Sequence, residues 1–352
     1  MKSKNRKGIL EILPEGYGFL RDEKHNFQIK NGDAYVPAEI IRRYKLREGL
    51  HIVAEVGTPQ ARGKSAPVTN VLKCNGVTPE EYLKIPDIKS GISIDPEEQL
   101  VMTMEPRDYT GRAMDLFTPV GKGQRGMIIS PPKAGKTTIL KHIAKAVCKN
   151  DPEVEVVVLL IDERPEEVTD FQRDLPGALV FHSSADQDVD NHLRMTYLTM
   201  NMAMRRVEFG RDVLILIDSL TRMGRAFNKD TTSGGKTLSG GLAANALDLP
   251  RRFFGAARNL ENGGSLSIMA SILIDTGSRM DEVIFQEFKG TGNLDLVLSR
   301  ECAERRLFPA INIRHKILSP EDLDDASFLR RKTAGMKPPE ALEFVLEYFR
   351  QN

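Results

Sequence analysis

The stretch Ser130-Pro-Pro-Lys-Ala-Gly-Lys-Thr137 places a glycine, two lysines and a hydroxyl at the spacing of a phosphate-binding loop. Such a loop works only between a strand and a helix, because the backbone N–H groups that cradle the anion are the unpaired donors of the helix's first turn. Both flanks are present. Met127-Ile-Ile129 reads as a buried strand, and Thr138 to Val147 spaces its apolar residues with helical period. In that setting Gly135 permits the turn, Lys136 reaches the β- and γ-phosphates, and the Thr137 hydroxyl can hold Mg²⁺. The departure from the usual G-x-x-x-x-G-K-[ST] pattern is Ser130, which stands at the first glycine position.

Two carboxylates are placed to complete this chemistry. The apolar run Val154 to Ile161 ends in Asp162-Glu163-Arg164, and the run 212–217 ends in Asp218-Ser219. Carboxylates at the C-terminal ends of parallel strands face the ligand crevice. Asp218 fits a Walker B acid acting on the metal shell, and Glu163, one strand away, fits the base that orients a water toward the γ-phosphate. Helix capping at a strand–helix turn is the competing role for either residue. Two later stretches, 231–241 and 275–280, are rich in glycine, serine and threonine; they read as loops, carrying Lys236 and Arg279 as cations suited to a phosphate backbone.

The elements that must position these groups change in kind along the chain. Residues 8–75 read as short strands broken by turns, with a short helix near 37–44, which is a small β-barrel pattern. Within it, Gly16-Tyr-Gly-Phe-Leu-Arg21 sets two aromatics on one face of a strand beside an arginine. Stacked aromatics next to a cation hold single-stranded nucleic acid, although paired aromatics on a strand also serve as core. Residues 1–75 carry 14 Lys and Arg against 8 Asp and Glu, whereas the whole chain of 352 residues nets only +1. The basic excess of this region suits a polyanion partner. Residues 76–100 read as a proline-bearing linker, and from about 101 strands alternate with helices, the pattern of a parallel sheet covered on both faces.

Composition excludes several classes. Hydrophobic residues make up 40% of the chain, enough for a real core, and no apolar run approaches a membrane span. The basic start Met1 to Lys7 lacks the apolar stretch of a signal peptide, so the cytoplasm is the expected compartment. Cys74, Cys148 and Cys302 are too scattered for a disulfide framework or a zinc site.

Taken together, Gly16 to Arg21, Ser130 to Thr137, Asp162 to Val168, Asp218 to Arg222, Arg252 to Arg258 and Phe288 to Asn293 resemble, in order and spacing, the bacterial transcription termination factor Rho family. The resemblance runs from about residue 8 to 310. It implies an α+β two-domain chain, with an OB-fold (cold-shock-like) RNA-binding barrel over 1–75, a linker over 76–100, and a RecA-like α/β P-loop ATPase domain with a largely parallel sheet over 101–352. It further implies ATP and Mg²⁺ as cofactors, single-stranded RNA through the centre of a homo-hexameric ring, and RNA polymerase and elongation factors as partners. By position, Lys133, Ala134, Gly135, Lys136, Thr137, Thr138 and Arg164 would bind ATP, with Phe308 stacking on adenine. Glu163, Lys136 and Arg164 would be catalytic, and Thr137 and Asp218 would hold the metal. Tyr17, Phe19, Arg21, Asp33 and Tyr35 would bind RNA in the barrel, and Lys236 and Arg279 would face it in the pore. Arg222, Arg300, Arg306 and Arg314 would lie at the subunit boundary.

The sequence departs from that family at two places. After Phe308-Pro-Ala-Ile311 the family carries a Ser-Gly-Thr-Arg whose arginine acts across the boundary on the γ-phosphate; here Ser319 falls at that arginine and Arg314 is the nearest substitute. An arginine finger contributes roughly 10³–10⁵ in turnover. In the barrel, Gly63 to Pro67 occupies the region where the family has an aromatic lining its RNA pocket. Two functions follow: an ATP-driven RNA translocase or helicase that terminates transcription, or a regulator that binds ATP and RNA with little or no hydrolysis. A DNA strand-exchange or rotary ATPase subunit fits the motor half and leaves the aromatic barrel unexplained.

Overall fold

The computed structural model describes residues 4–59, 65–231, 241–243, 245–313 and 324–351. They form two compact units. The first comprises Met1–Ser93 with Arg194–Val213 and Leu260–Ser265, and the second Ile94–Leu193, Leu214–Asn259 and Leu266–Asn352. The division is therefore not contiguous in sequence.

In the first unit, five strands, β1 (Lys4–Ile12), β2 (Gly18–Arg21), β3 (Ala34–Val36), β4 (His51–Val56) and β5 (Val68–Cys74), form an antiparallel sheet in the order β3-β2-β1-β4-β5. The sheet curls into a half-barrel whose two edges meet where Tyr35 bridges Pro67 and its N–H donates to Ala66 O at 3.0 Å. Side chains alternate across it, as a half-buried sheet requires. Leu10, Leu20, Val36, Ile52, Ala54 and Val71 fill the inner face with the helix α1 (Ala38–Arg43). Phe19 and Tyr35 pair in register on the outer face, opposite Glu11. Gly18 is required at the crossing of β1 and β2, since a Cβ there would lie 2.3 Å from Glu11 O. The segment Arg194–Val213 belongs to this unit through specific contacts: Arg194 donates to Phe27 O at 2.8 Å, Glu208 pairs with Arg47 at 2.8 Å, and Arg206 pairs with Glu23 at 2.5 Å.

The second unit is built on the larger sheet. Its strands β6 (Arg125–Ser130), β7 (Glu155–Glu163), β8 (Leu179–Ser184), β9 (Val213–Asp218), β10 (Ser265–Leu273) and β11 (Leu294–Val297) lie in the order β8-β7-β9-β10-β6-β11. The β7–β8, β10–β6 and β11–β6 pairs are parallel. Val156 to Ile161 and Val213 to Ile217 are continuously buried, as strands covered on both faces must be. Each such Val, Leu or Ile contributes about 1.5–3 kcal/mol of transfer free energy. The sheet thus fixes the C-terminal ends of β6, β7 and β9, from which the site is made. Helix α2 (Lys136–Asn150) begins in the phosphate loop, two residues earlier than its apolar period indicates. No helix among the described residues is long and apolar enough to cross a membrane.

Candidate nucleotide and RNA sites

The phosphate loop leaves β6 at Ser130 and enters α2 at Lys136. Ser130 is fully buried and its hydroxyl donates to Pro131 O at 2.8 Å, which is how a side chain is accommodated where the pattern has glycine. Lys133 (φ 64°) and Gly135 (φ 92°) both take left-handed backbone, and the second is the cap from which the helix starts. Glycine is the residue that does this without steric cost. Ala134 is buried, while Lys133 and Thr138 are exposed and Thr137 half-buried at the helix N-terminus.

Lys136 Nζ pairs with Asp218 Oδ1, which also accepts from Ser271 Oγ at 3.0 Å. The other oxygen, Asp218 Oδ2, is buried without a hydrogen-bond partner. A buried, unpaired carboxylate oxygen is costly, so this atom is an acceptor held ready for a cation or an ordered water. Glu163 sits on the neighbouring strand, 1% exposed. Its orientation comes from a bulge: the β7–β8 register slips between Ile161 and Glu163, and Asp162 takes φ 55°. Burial, and then the Asp218 charge, push the Glu163 carboxyl above its ordinary 4.5, against a downward pull from Arg222. Arg222 donates to Glu163 Oε1 at 3.1 Å and to Asp162 O at 2.7 Å. This arginine, assigned to the subunit boundary by resemblance, makes these contacts with Asp162 and Glu163 within the chain. Arg164 caps the following helix and is exposed.

Phe308 is 56% exposed, a large apolar ring open to solvent. Its edge lies 3.8 Å from where a Cβ on Gly135 would stand, so the ring flanks the phosphate loop. Arg300 and Arg306 are exposed, and Arg300 reaches Asp275 O at 3.5 Å. Arg279 is not at a loop tip: it is the first residue of helix α3 (Arg279–Lys289), exposed, with Ser278 as N-cap. The preceding turn is anchored by Asp281, which accepts from Arg225 at 2.9 and 2.6 Å and from Thr276 Oγ1 at 2.7 Å. Lys236, Arg314, Ser319 and the first residues of the Gly63 to Pro67 stretch lie outside the described residues.

In the first unit, Tyr17, Phe19 and Tyr35 form one cluster on the outer face, with centroids 5.5 Å (Tyr17–Tyr35), 5.9 Å (Phe19–Tyr35) and 6.0 Å (Tyr17–Phe19) apart. All three are half-buried, so part of each ring faces solvent. Arg21 lies 4.7 Å from the Phe19 centroid, but it is only 4% exposed and its guanidinium is taken by Glu11 and by Asp33, the latter at 2.6 Å. It stiffens the platform from behind. Glu11, which had no motif to reveal it, also pairs with Arg194; burial works to raise its pKa, yet Arg194 and Arg21 hold it below 4.5.

Residues 111–317 match the ATP synthase alpha/beta family, nucleotide-binding domain, and residues 6–80 match the Rho termination factor, RNA-binding domain. Among curated proteins the chain is 45% identical to the transcription termination factor Rho of Cereibacter sphaeroides, over 98% of this chain and 84% of that protein. It is also 45% identical to that of Bacillus subtilis, over 96% and 80%. The chain belongs to the transcription termination factor Rho family. Solved structures agree at the level of fold. A type III secretion system ATPase of pathogenic bacteria superposes with a TM-score of 0.56 over 68% of this chain and 78% of that one at 24% identity. An ATP synthase subunit of Nanoarcheaum equitans gives 0.55 over 71% and 64% at 17%. The two matched models cover both halves of the chain, the Rho RNA-binding domain the first and the nucleotide-binding domain the second.

Proposed function

We propose that this Rho-family chain is an ATP-dependent RNA translocase or helicase that terminates transcription. The observation that carries the reading is the joint presence of the buried Asp218 and Glu163 at the strand ends of one unit, with Lys136 paired to Asp218, and an open aromatic platform on the other. In this reading Lys133, Lys136 and the loop N–H groups bind the phosphates, and Phe308 supports the base. Glu163 accepts the proton of the attacking water, with Arg222 holding its carboxylate in place. Mg²⁺ fits the residues present: the Thr137 hydroxyl and the unpaired Asp218 Oδ2 are hard oxygen donors of the type it takes. Bound there, the ion would neutralise charge on the β- and γ-phosphates.

Tyr17, Phe19 and Tyr35 stack on RNA bases, and Arg279 and Lys236 meet the RNA backbone in the centre of a hexameric ring. Arg300, Arg306 and a cation from 314–316 face the neighbouring subunit's nucleotide. RNA polymerase is the partner on which the pulled transcript acts, and the cytoplasm is the place of action. Stalled elongation complexes test the reading. Release of a pyrimidine-rich transcript should require both the protein and ATP, and should be lost with a non-hydrolysable ATP analogue; release that is indifferent to nucleotide would contradict it.

A further inference from the structure

The first unit holds a pocket of about 460 Å³ between the start of β1 and the segment joining β2 to β3. Three acidic side chains line it, and each already has its cation. Asp22 pairs with His25 at 2.5 Å and with Lys30 at 3.7 Å, Glu23 pairs with Arg206, and Asp33 pairs with Arg21 at 2.6 Å. Arg6, Lys7 and Lys24 line the same pocket, are exposed, and form no ion pair among the described residues. The pocket is therefore positive in balance despite its acidic lining. His51 in its wall adds a ring without adding charge, because burial lowers its pKa, Lys7, Arg206 and Arg211 lower it further, and Glu23 opposes them only in part. At Gly32 the wall is open, with nothing within 4 Å of a Cβ placed there.

We propose that this pocket is a phosphate-binding subsite for single-stranded RNA, taking backbone phosphates next to the bases stacked on Tyr17, Phe19 and Tyr35. The proposal rests on the RNA-binding reading above. Asp33 links the two places: it lines the pocket while its carboxylate holds Arg21, whose guanidinium lies against Phe19. Asp33 is two residues from Tyr35, a separation of about 7 Å along a strand, so a strand of RNA passes from the platform to the pocket within very few nucleotides. Exposed lysines and arginines free of carboxylate partners are the groups that neutralise phosphates and release counterions.

The test compares the full chain with an Arg6→Gln/Lys7→Gln/Lys24→Gln variant, binding a uridine dinucleotide and an octanucleotide across a salt series. Each neutralised phosphate on a single strand contributes about 0.7 to the slope of log K against log salt, so the variant's slope for the octanucleotide should be smaller in magnitude by about 2. The dinucleotide, which covers the platform alone, should be unaffected. An unchanged octanucleotide slope overturns the pocket proposal and leaves the RNA reading standing. If the unmodified chain binds neither oligonucleotide, the RNA reading itself is lost and the pocket with it. Inorganic phosphate is the control for source: phosphate binding that the substitutions abolish, with octanucleotide binding intact, identifies a free-anion site and also overturns the proposal. All three side chains are exposed, and matching thermal melts establish that the variant is folded.

Discussion

Arg222 donates to Glu163 Oε1 at 3.1 Å, and Glu163 is a carboxyl that burial and Asp218 push above its ordinary pKa. A general base must be ionised to act, so the acidic limb of the pH–kcat/KM profile, which reports groups of the free protein, should lie above 4.5, the ordinary glutamate value. Arg222→Ala removes a contribution that lowers this pKa and should move the limb further toward neutral. Profiles of the two proteins decide it, and superimposable acidic limbs would remove Arg222 from the role given to it.

The same shift bears on stability. A carboxyl whose folded pKa is raised contributes stability that is present below its unfolded value and lost as pH rises through the folded one. At pH 7 Glu163 is therefore a destabilising residue in the nucleotide-free chain. Glu163→Gln should raise the melting temperature at pH 7, with the gain shrinking as pH is lowered toward 4. A gain that does not depend on pH would mean that charge is not its cause.

Lys136 has two roles, since the cation that meets phosphate is also the partner of a nearly fully buried aspartate. Lys136→Ala should reduce ATP turnover by roughly 10²–10³-fold or more. It should also cost stability on the order of 3 kcal/mol in the absence of nucleotide, because Asp218 is left charged with only Ser271 for company. The Lys136→Ala/Asp218→Asn double variant should recover most of that stability and none of the activity. Denaturant melts of the three proteins give the answer.

For the platform, Tyr17→Ala/Phe19→Ala should weaken short single-stranded RNA by about 1–3 kcal/mol per stacked base. The half-barrel should stay folded, because its core is the opposite face, with Leu10, Leu20, Val36 and Ile52. Titration with a pyrimidine oligonucleotide, alongside circular dichroism, separates lost stacking from lost structure.

Much of this architecture is legible in the sequence. The strand before the phosphate loop and the carboxylates at 163 and 218 are legible because parallel strands buried on both faces are continuous apolar runs, two of which end abruptly in charge. Part of the aromatic platform is legible because Tyr17 and Phe19 alternate with glycines at period two, while Tyr35 follows only from the family resemblance. What was not legible depends on contacts distant in sequence. Glu11 anchors both Arg21 and Arg194 across 10 and 183 residues, and Ser271 reaches Asp218 across 53, with no local pattern to mark any of them. The stretch 275–280 reads as a loop because Asp275 to Ser278 is all turn chemistry; with Ser278 as cap the helix begins at Arg279, two residues inside that stretch. By its motif Arg21 is a ligand cation, and only the fold shows both of its carboxylates.

The central claim is that ATP hydrolysis in one unit is driven by RNA bound to the chain, and steady-state ATP turnover with and without a pyrimidine-rich single-stranded RNA tests it most directly. RNA should raise turnover, and Glu163→Gln should lower the RNA-stimulated rate by roughly 10²–10⁴-fold while ATP still binds. An unmodified protein that binds ATP and RNA yet turns over no faster than its Glu163→Gln variant would contradict the account.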